Sequence, residues 1–174
     1  MSYTPMSDLG QQGLFDITRL LLQQPDLAAL SETLTRLVQQ SALADRAAII
    51  LWNAGNHRAA RYGCDEAGLP VSYEDETVLA HGPVRRLLSR PDALHCDKET
   101  FVEAWPQLAS SGLYPPFGYY GLLPLAAEGR IFGGCEFIRN DARPWSEKEF
   151  QRLHTFTQLV AVVTEQIQSR VSNN

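Results

Sequence analysis

Cysteine is scarce in this 174-residue chain: Cys64, Cys96 and Cys135 stand far apart, with no Cys-x-x-Cys pair among them. An odd, scattered set excludes a disulfide framework and suits a reducing compartment. Basic residues are outnumbered too. The 15 Lys and Arg against 20 Asp and Glu leave a formal net charge of -5, which excludes a surface built to neutralise phosphates. The apolar runs Ala47 to Trp52 and Leu122 to Ala127 are far shorter than a bilayer span, and the N-terminus has no basic-then-apolar leader. These absences predict a soluble, cytoplasmic protein. The sequence also lacks a Gly-x-Ser-x-Gly elbow, a phosphate loop and any internal repeat.

What is present is a core-forming chain, 44% hydrophobic, of a length that fits one domain, 1–174, with a core from about residue 8 to residue 171. Leu14, Ile17, Leu21 and Leu22 recur at helical spacing behind a cap at Ser7 or Asp8, and Pro25 ends the run. Asp26 caps a second helix with the stripe Leu27, Leu30, Leu34, Leu37 and Val38. Ala47 to Trp52 and Arg58 to Cys64 read as a hairpin around Asn53 to Asn56, and Gly68 and Pro70 as a loop. A short helix from Pro83 to Ser89 and a brief strand from Leu94 to Cys96 follow.

Asp97 to Gly118 carries Trp105-Pro106 and Tyr114-Pro-Pro-Phe117, too proline-rich for a long element and too aromatic for disorder, so it is expected to be an ordered loop. Tyr119 to Ala126 and Arg130 to Arg139 form a second hairpin. Ser146 and Glu149 make a capping box for a final helix with the stripe Phe150, Leu153, Phe156, Val160, Val163, Ile167 and Val171. The chain stops at Asn174 without a glycine cap, as expected of a piece of a longer protein. This order predicts an α+β fold, a central antiparallel sheet with the N- and C-terminal helices packed on one face.

The run Leu122-Leu-Pro-Leu125, then Gly129-Arg-Ile-Phe-Gly-Gly134, then Trp145-Ser-Glu-Lys-Glu-Phe150 ahead of a long helix resembles the C-terminal half of GAF domains. With Tyr73 to Arg86 included, Met1 to Val171 is similar throughout to the sensory GAF domains of formate-responsive, enhancer-binding transcriptional activators. The resemblance implies a non-catalytic domain that binds formate and signals to downstream GAF and AAA+ domains, while the first helix and the long Phe150 to Val171 stripe, with more apolar surface than one sheet face can cover, predict a homodimer through the terminal helices. These residues contain neither the ATPase nor a DNA-binding motif. No cofactor is expected, the cysteine and histidine spacing predicts no metal, the short apolar runs predict no membrane contact, and the net charge predicts no direct nucleic-acid contact by these residues.

The residues themselves offer one anion site. Pro83 suits the first position of a helix, so Gly82 becomes its cap and the amides of Val84 and Arg85 are expected to point outward. Arg85 adds a planar fork for a carboxylate, Arg86 a neighbouring charge and His81 a further donor. Glu74, Asp75 and Glu76 supply partners when no ligand is bound. The aromatic residues Trp105, Tyr114, Phe117, Tyr119 and Tyr120 are expected to roof the site, with Trp105 and Tyr119 counted among the ligand-binding residues. Formate is so small that a ceiling of about 1.5 kcal/mol per heavy atom, roughly 4.5 kcal/mol in all, allows only millimolar affinity.

Plainer readings stand beside this one. Arg85 and Arg86 also read as solvated helix charges, the aromatic set as ordinary packing, and His57, His95 and His154 as isolated histidines. A dimerisation-only GAF module, with formate sensed elsewhere, remains an alternative. GAF-fold methionine sulfoxide reductases use cysteine nucleophiles, so Cys64, Cys96 and Cys135 keep an enzymatic alternative open, and related nitric-oxide sensors that bind iron keep another. Gly133 reads as a close approach beneath a helix.

Overall fold

Pro25 and Asp26 divide the first two helices: α1 runs Gln11–Leu22 and α2 Leu27–Gln40, with Asp26 Oδ1 accepting the Ala29 amide at 2.8 Å. The computed structural model describes residues 11–172. The cap read at Ser7 or Asp8 lies outside the described residues.

Six strands follow. They are β1 (Arg46–Trp52), β2 (Ala59–Cys64), β3 (Pro70–Glu76), β4 (Leu94–Asp97), β5 (Tyr119–Ala127) and β6 (Arg130–Arg139). They form one sheet in the order β3-β2-β1-β6-β5-β4, every neighbouring pair antiparallel. The expected α+β architecture is the one observed. Helices α3 (Thr77–Ala80) and α4 (Pro83–Ser89) follow β3, and α5 (Lys98–Ala104) and α6 (Pro106–Ala109) follow β4. The long α7 (Glu147–Ser172) closes the fold.

Alternation along the strands sends side chains to two cores. Ile49, Leu51, Leu123 and Leu125 pack under α1, α2 and α7 with Leu21, Leu30, Leu34, Phe156 and Val160. Ile50, Tyr120, Leu122 and Ile138 pack under α3 to α6 with Leu79, Val84, Leu87, Phe101 and Leu108. The terminal helices share one face, as expected, while short helices cover the other.

Two sequence readings need correction. Pro70 to Glu76 is an edge strand, where proline is tolerated at the first residue and exposed polar side chains hide the pattern. The segment from Asp97 is not a continuous loop: Asp97 caps α5 by accepting the Thr100 amide at 2.8 Å, and Trp105-Pro106 is the junction at which α6 begins. The reading of Gly133 also changes. A Cβ there would lie 2.1 Å from the Ile50 carbonyl of β1, whereas Gly134 is the glycine beneath a helix, facing Leu87 of α4.

Candidate functional site

Strand register builds a buried ionic cluster on the face under α3 to α6. Arg61 of β2 pairs with Ile50 of β1, and Glu136 of β6 pairs with Ala48. Ala48 and Gly63 leave room for the guanidinium, since a Cβ on Gly63 would meet Ala48 Cβ and Arg61 Nη1 at 3.0 Å each. Arg61 Nε donates to Glu136 Oε1 at 2.7 Å, with side-chain exposures of 3% and 0%. Tyr114 donates to Oε2 of the same carboxylate at 2.5 Å, and Tyr120 donates to it as well. The Tyr114 ring also lies under Arg61, with Cζ 4.3 Å from its centroid.

Electrostatics acts on Arg61 and on the two tyrosines of this cluster. Burial, the largest single influence, disfavours the charged guanidinium, but Glu136, Tyr114 and Tyr120 together outweigh it and raise Arg61 above its ordinary value. Burial, reinforced by the Glu136 charge, raises the Tyr114 and Tyr120 hydroxyls well above theirs, so both stay protonated as donors. Phe101 packs against Tyr120 and Phe117 at 4.9 and 5.1 Å between centroids, screening the cluster from water. Chemically this is a carboxylate receptor filled by the chain's own carboxylate.

Arg61 also lines an open cleft of about 430 Å³, whose walls include Val71, Tyr73, Leu113, Tyr114 and Pro116. Asp65 and Glu66 stand at the same cleft, with Asp65 Oδ1 accepting the Ala67 and Leu69 amides at 2.9 Å. Arg46, buried on the same sheet face, donates to the Pro116 carbonyl at 2.9 Å. Its Nε is buried with no acceptor among the described residues.

The residues read from the sequence as an anion site are only partly brought together. His81 and Arg85 are exposed beside the buried cap Gly82, and Val84 is wholly buried. The amide of Arg85 is not open, because it donates to the Gly82 carbonyl at 3.1 Å. Arg86 reaches the Asp92 carbonyl at 3.3 Å. Trp105 packs on Phe101 at 5.3 Å, on the α3 to α6 face.

Tyr119 is a correction: strand alternation sends it to the opposite face, where its hydroxyl is 2.5 Å from His95 Nδ1 and its ring 5.3 Å from Trp145. The acidic stretch is a second correction. Asp75 pairs with Arg58 at 3.1 Å and Glu74 accepts from Tyr62 at 3.3 Å, and among the described residues neither Arg85 nor Arg86 forms an ion pair.

Sequence reasoning missed Arg61, Glu136 and Arg46. A charged residue inside an otherwise apolar strand, as in Arg130 to Arg139, was the available signal for Glu136. Burial raises the thiols of Cys64, Cys135 and Cys96 above their ordinary values, the last to about 11. Among the described residues no three His, Cys, Asp or Glu side chains gather as a metal site, and no helix is long and apolar enough to cross a membrane.

No protein-family model matches the chain. Over all 174 residues it is 75% identical to the formate hydrogenlyase transcriptional activator of Salmonella typhimurium (strain LT2) and 73% identical to the formate hydrogenlyase transcriptional activator FhlA of Escherichia coli (strain K12). The chain spans 25% of the length of these relatives. Its fold matches the GAF domain of a phosphoenolpyruvate-protein phosphotransferase from Coxiella burnetii, with TM-score 0.66, 12% identity, and 91% of this chain and 94% of that one covered. The corresponding GAF domain from Acinetobacter gives TM-score 0.61 at 16% identity, covering 95% and 100%.

Proposed function

We propose that this chain, a GAF domain in fold and three-quarters identical to one segment of formate hydrogenlyase transcriptional activators, is the sensory, non-catalytic part of such an activator. It binds a small carboxylate, formate, in the cytoplasm and relays occupancy to downstream GAF and AAA+ domains of the same polypeptide. The observation that carries this reading is identity at 75% across every residue of the chain. Ligand is received on the face under α3 to α6, the face of His81, Gly82, Val84, Arg85, Arg86 and Trp105. The raised thiols weigh against cysteine catalysis, because only the thiolate is a nucleophile.

Relay goes through a homodimer of terminal helices. Phe15 and Leu20 of α1 and Val162 and Val171 of α7 are exposed at 57%, 40%, 56% and 71%, which supports such an interface. A monomer in sedimentation at tens of micromolar, on the order of concentrations at which such interfaces hold, contradicts this part.

Thermal unfolding tests the ligand reading. Formate at about ten times its Kd stabilises the folded state by about 1.4 kcal/mol, a rise of roughly 3–6 °C in Tm for a chain of this size. Sodium chloride at equal ionic strength is the reference. An identical melting curve in both salts sinks the formate reading.

A further inference from the structure

Among the described residues, two buried arginines share one sheet face with a single buried carboxylate. Arg46 and Arg61 are 7% and 2% exposed, and Glu136 is 0% exposed. Arg46 forms no ion pair among the described residues, and its Nε meets no acceptor. Arg61 spends Nε on Glu136 and makes no other hydrogen bond among the described residues, so its Nη edge is what it offers the cleft it lines. Buried guanidinium groups without matching acceptors are costly, and a carboxylate that meets the planar fork offsets that cost.

From this imbalance, and resting on the sensory reading above, we infer that the cleft between the β2–β3 turn and residues 112–116 is the ligand site. It takes a small monocarboxylate on the Nη edge of Arg61. Glu136 and Tyr114 hold the guanidinium in place, one by the Nε bond and the other by its ring. Arg46 adds positive potential and ties the far wall through the Pro116 carbonyl. Val71, Leu113 and Pro116 give the site apolar walls, which exclude water from the ion pair and accept a short alkyl chain.

Asp65 and Glu66 at the same cleft set the charge of the ligand. The buried excess is one positive charge, and Asp65 and Glu66 repel a dianion more strongly than a monoanion, so formate, acetate and propionate bind more tightly than phosphate. The ligand also touches the turn between β2 and β3 and the segment that carries Tyr114, so occupancy reaches both the sheet edge and the aromatic cluster.

The test is a titration of the isotopically labelled chain with sodium formate, followed by amide resonances at constant ionic strength. Saturable shifts are expected at residues 65–67 and 112–114, smaller ones at residues 82–86, and displacement by acetate at lower concentration than by phosphate. The paired variant R61M/E136Q removes both buried charges together. It is expected to bind formate at least tenfold more weakly while keeping its near-ultraviolet circular dichroism, with Lys148→Glu on α7 at wild-type affinity.

Shifts confined to residues 82–86, or wild-type affinity in R61M/E136Q, overturn this site and leave the sensory reading standing. Should the paired variant fail to fold, the wild-type shift map decides alone. No saturable shift in wild type overturns both the site and the formate reading.

Discussion

Nε of Arg61 lies 2.7 Å from Oε1 of Glu136, joining residues 75 positions apart across the breadth of β1. Breaking a buried pair from one side leaves an uncompensated charge, so Arg61→Met alone should lose about 3–5 kcal/mol of stability. R61M/E136Q should lose clearly less than the sum of its single variants, because the second substitution removes the stranded carboxylate. Urea denaturation of the four proteins measures the coupling. Additive losses would mean that the two side chains do not interact.

The capping box at the start of α7 is formed in full. Glu149 accepts the Ser146 amide at 2.9 Å, Ser146 Oγ accepts the Glu149 amide at 3.1 Å, and Glu149 also pairs with Arg139 at 2.8 Å. Ser146→Ala is expected to cost about 1 kcal/mol.

The same carboxylate gives stability a pH dependence. Partial burial acts to raise the Glu149 carboxyl, but the Ser146 amide and the Arg139 guanidinium outweigh it and hold the group below 4.5. A folded value below the unfolded one means that this stabilisation is present above the ordinary carboxylate range and disappears as pH falls through the folded value. Glu149→Gln should therefore flatten the acid limb of the stability profile below about pH 4.5. An unchanged limb in urea midpoints taken down to about pH 3 contradicts the assignment.

Gly133→Ala should destabilise the chain by about 1–3 kcal/mol, because the new Cβ meets the Ile50 carbonyl, backbone that cannot rotate away. Tm is the readout. An unchanged value would place this part of β6 away from β1.

Local signals carried the parts of the fold that local rules govern. Asp26, Ser146 with Glu149, and the stripes of α2 and α7 were legible because caps and helical periodicity involve neighbours three or four residues apart. Strand β3 was not, since Pro70 and its exposed polar residues resemble a loop until β2 is seen beside them. The Gly82 to Arg86 helix start was legible as an element, yet the openness of its amides was not, because Gly82 closes the turn on Arg85. Arg61 and Glu136 could not be joined from spacing. Their contact depends on the order β2-β1-β6 and on the small residues Ala48 and Gly63 between them.

Cysteine chemistry yields a further outcome. With Cys96 pushed up to about 11 by burial and by Asp97, alkylation by iodoacetamide near neutral pH should be slower than for an unperturbed thiol of pKa about 8.5. Replacing Cys96 and Cys135, which stand outside the Arg61 cleft, with alanine or serine should leave formate binding unchanged. Rapid alkylation at neutral pH, or loss of binding in the substituted chain, would restore a role for the thiols.

The most direct test of the central claim is equilibrium binding of ¹³C-labelled formate to the chain, read from the ligand's own resonance in wild type and in R61M/E136Q. The account predicts saturable, millimolar binding by wild type and at least tenfold weaker binding by the variant, both at constant ionic strength. Equal affinity in the two proteins contradicts the Arg61 site, and a wild-type response no different from that of a chloride reference contradicts formate sensing by this chain.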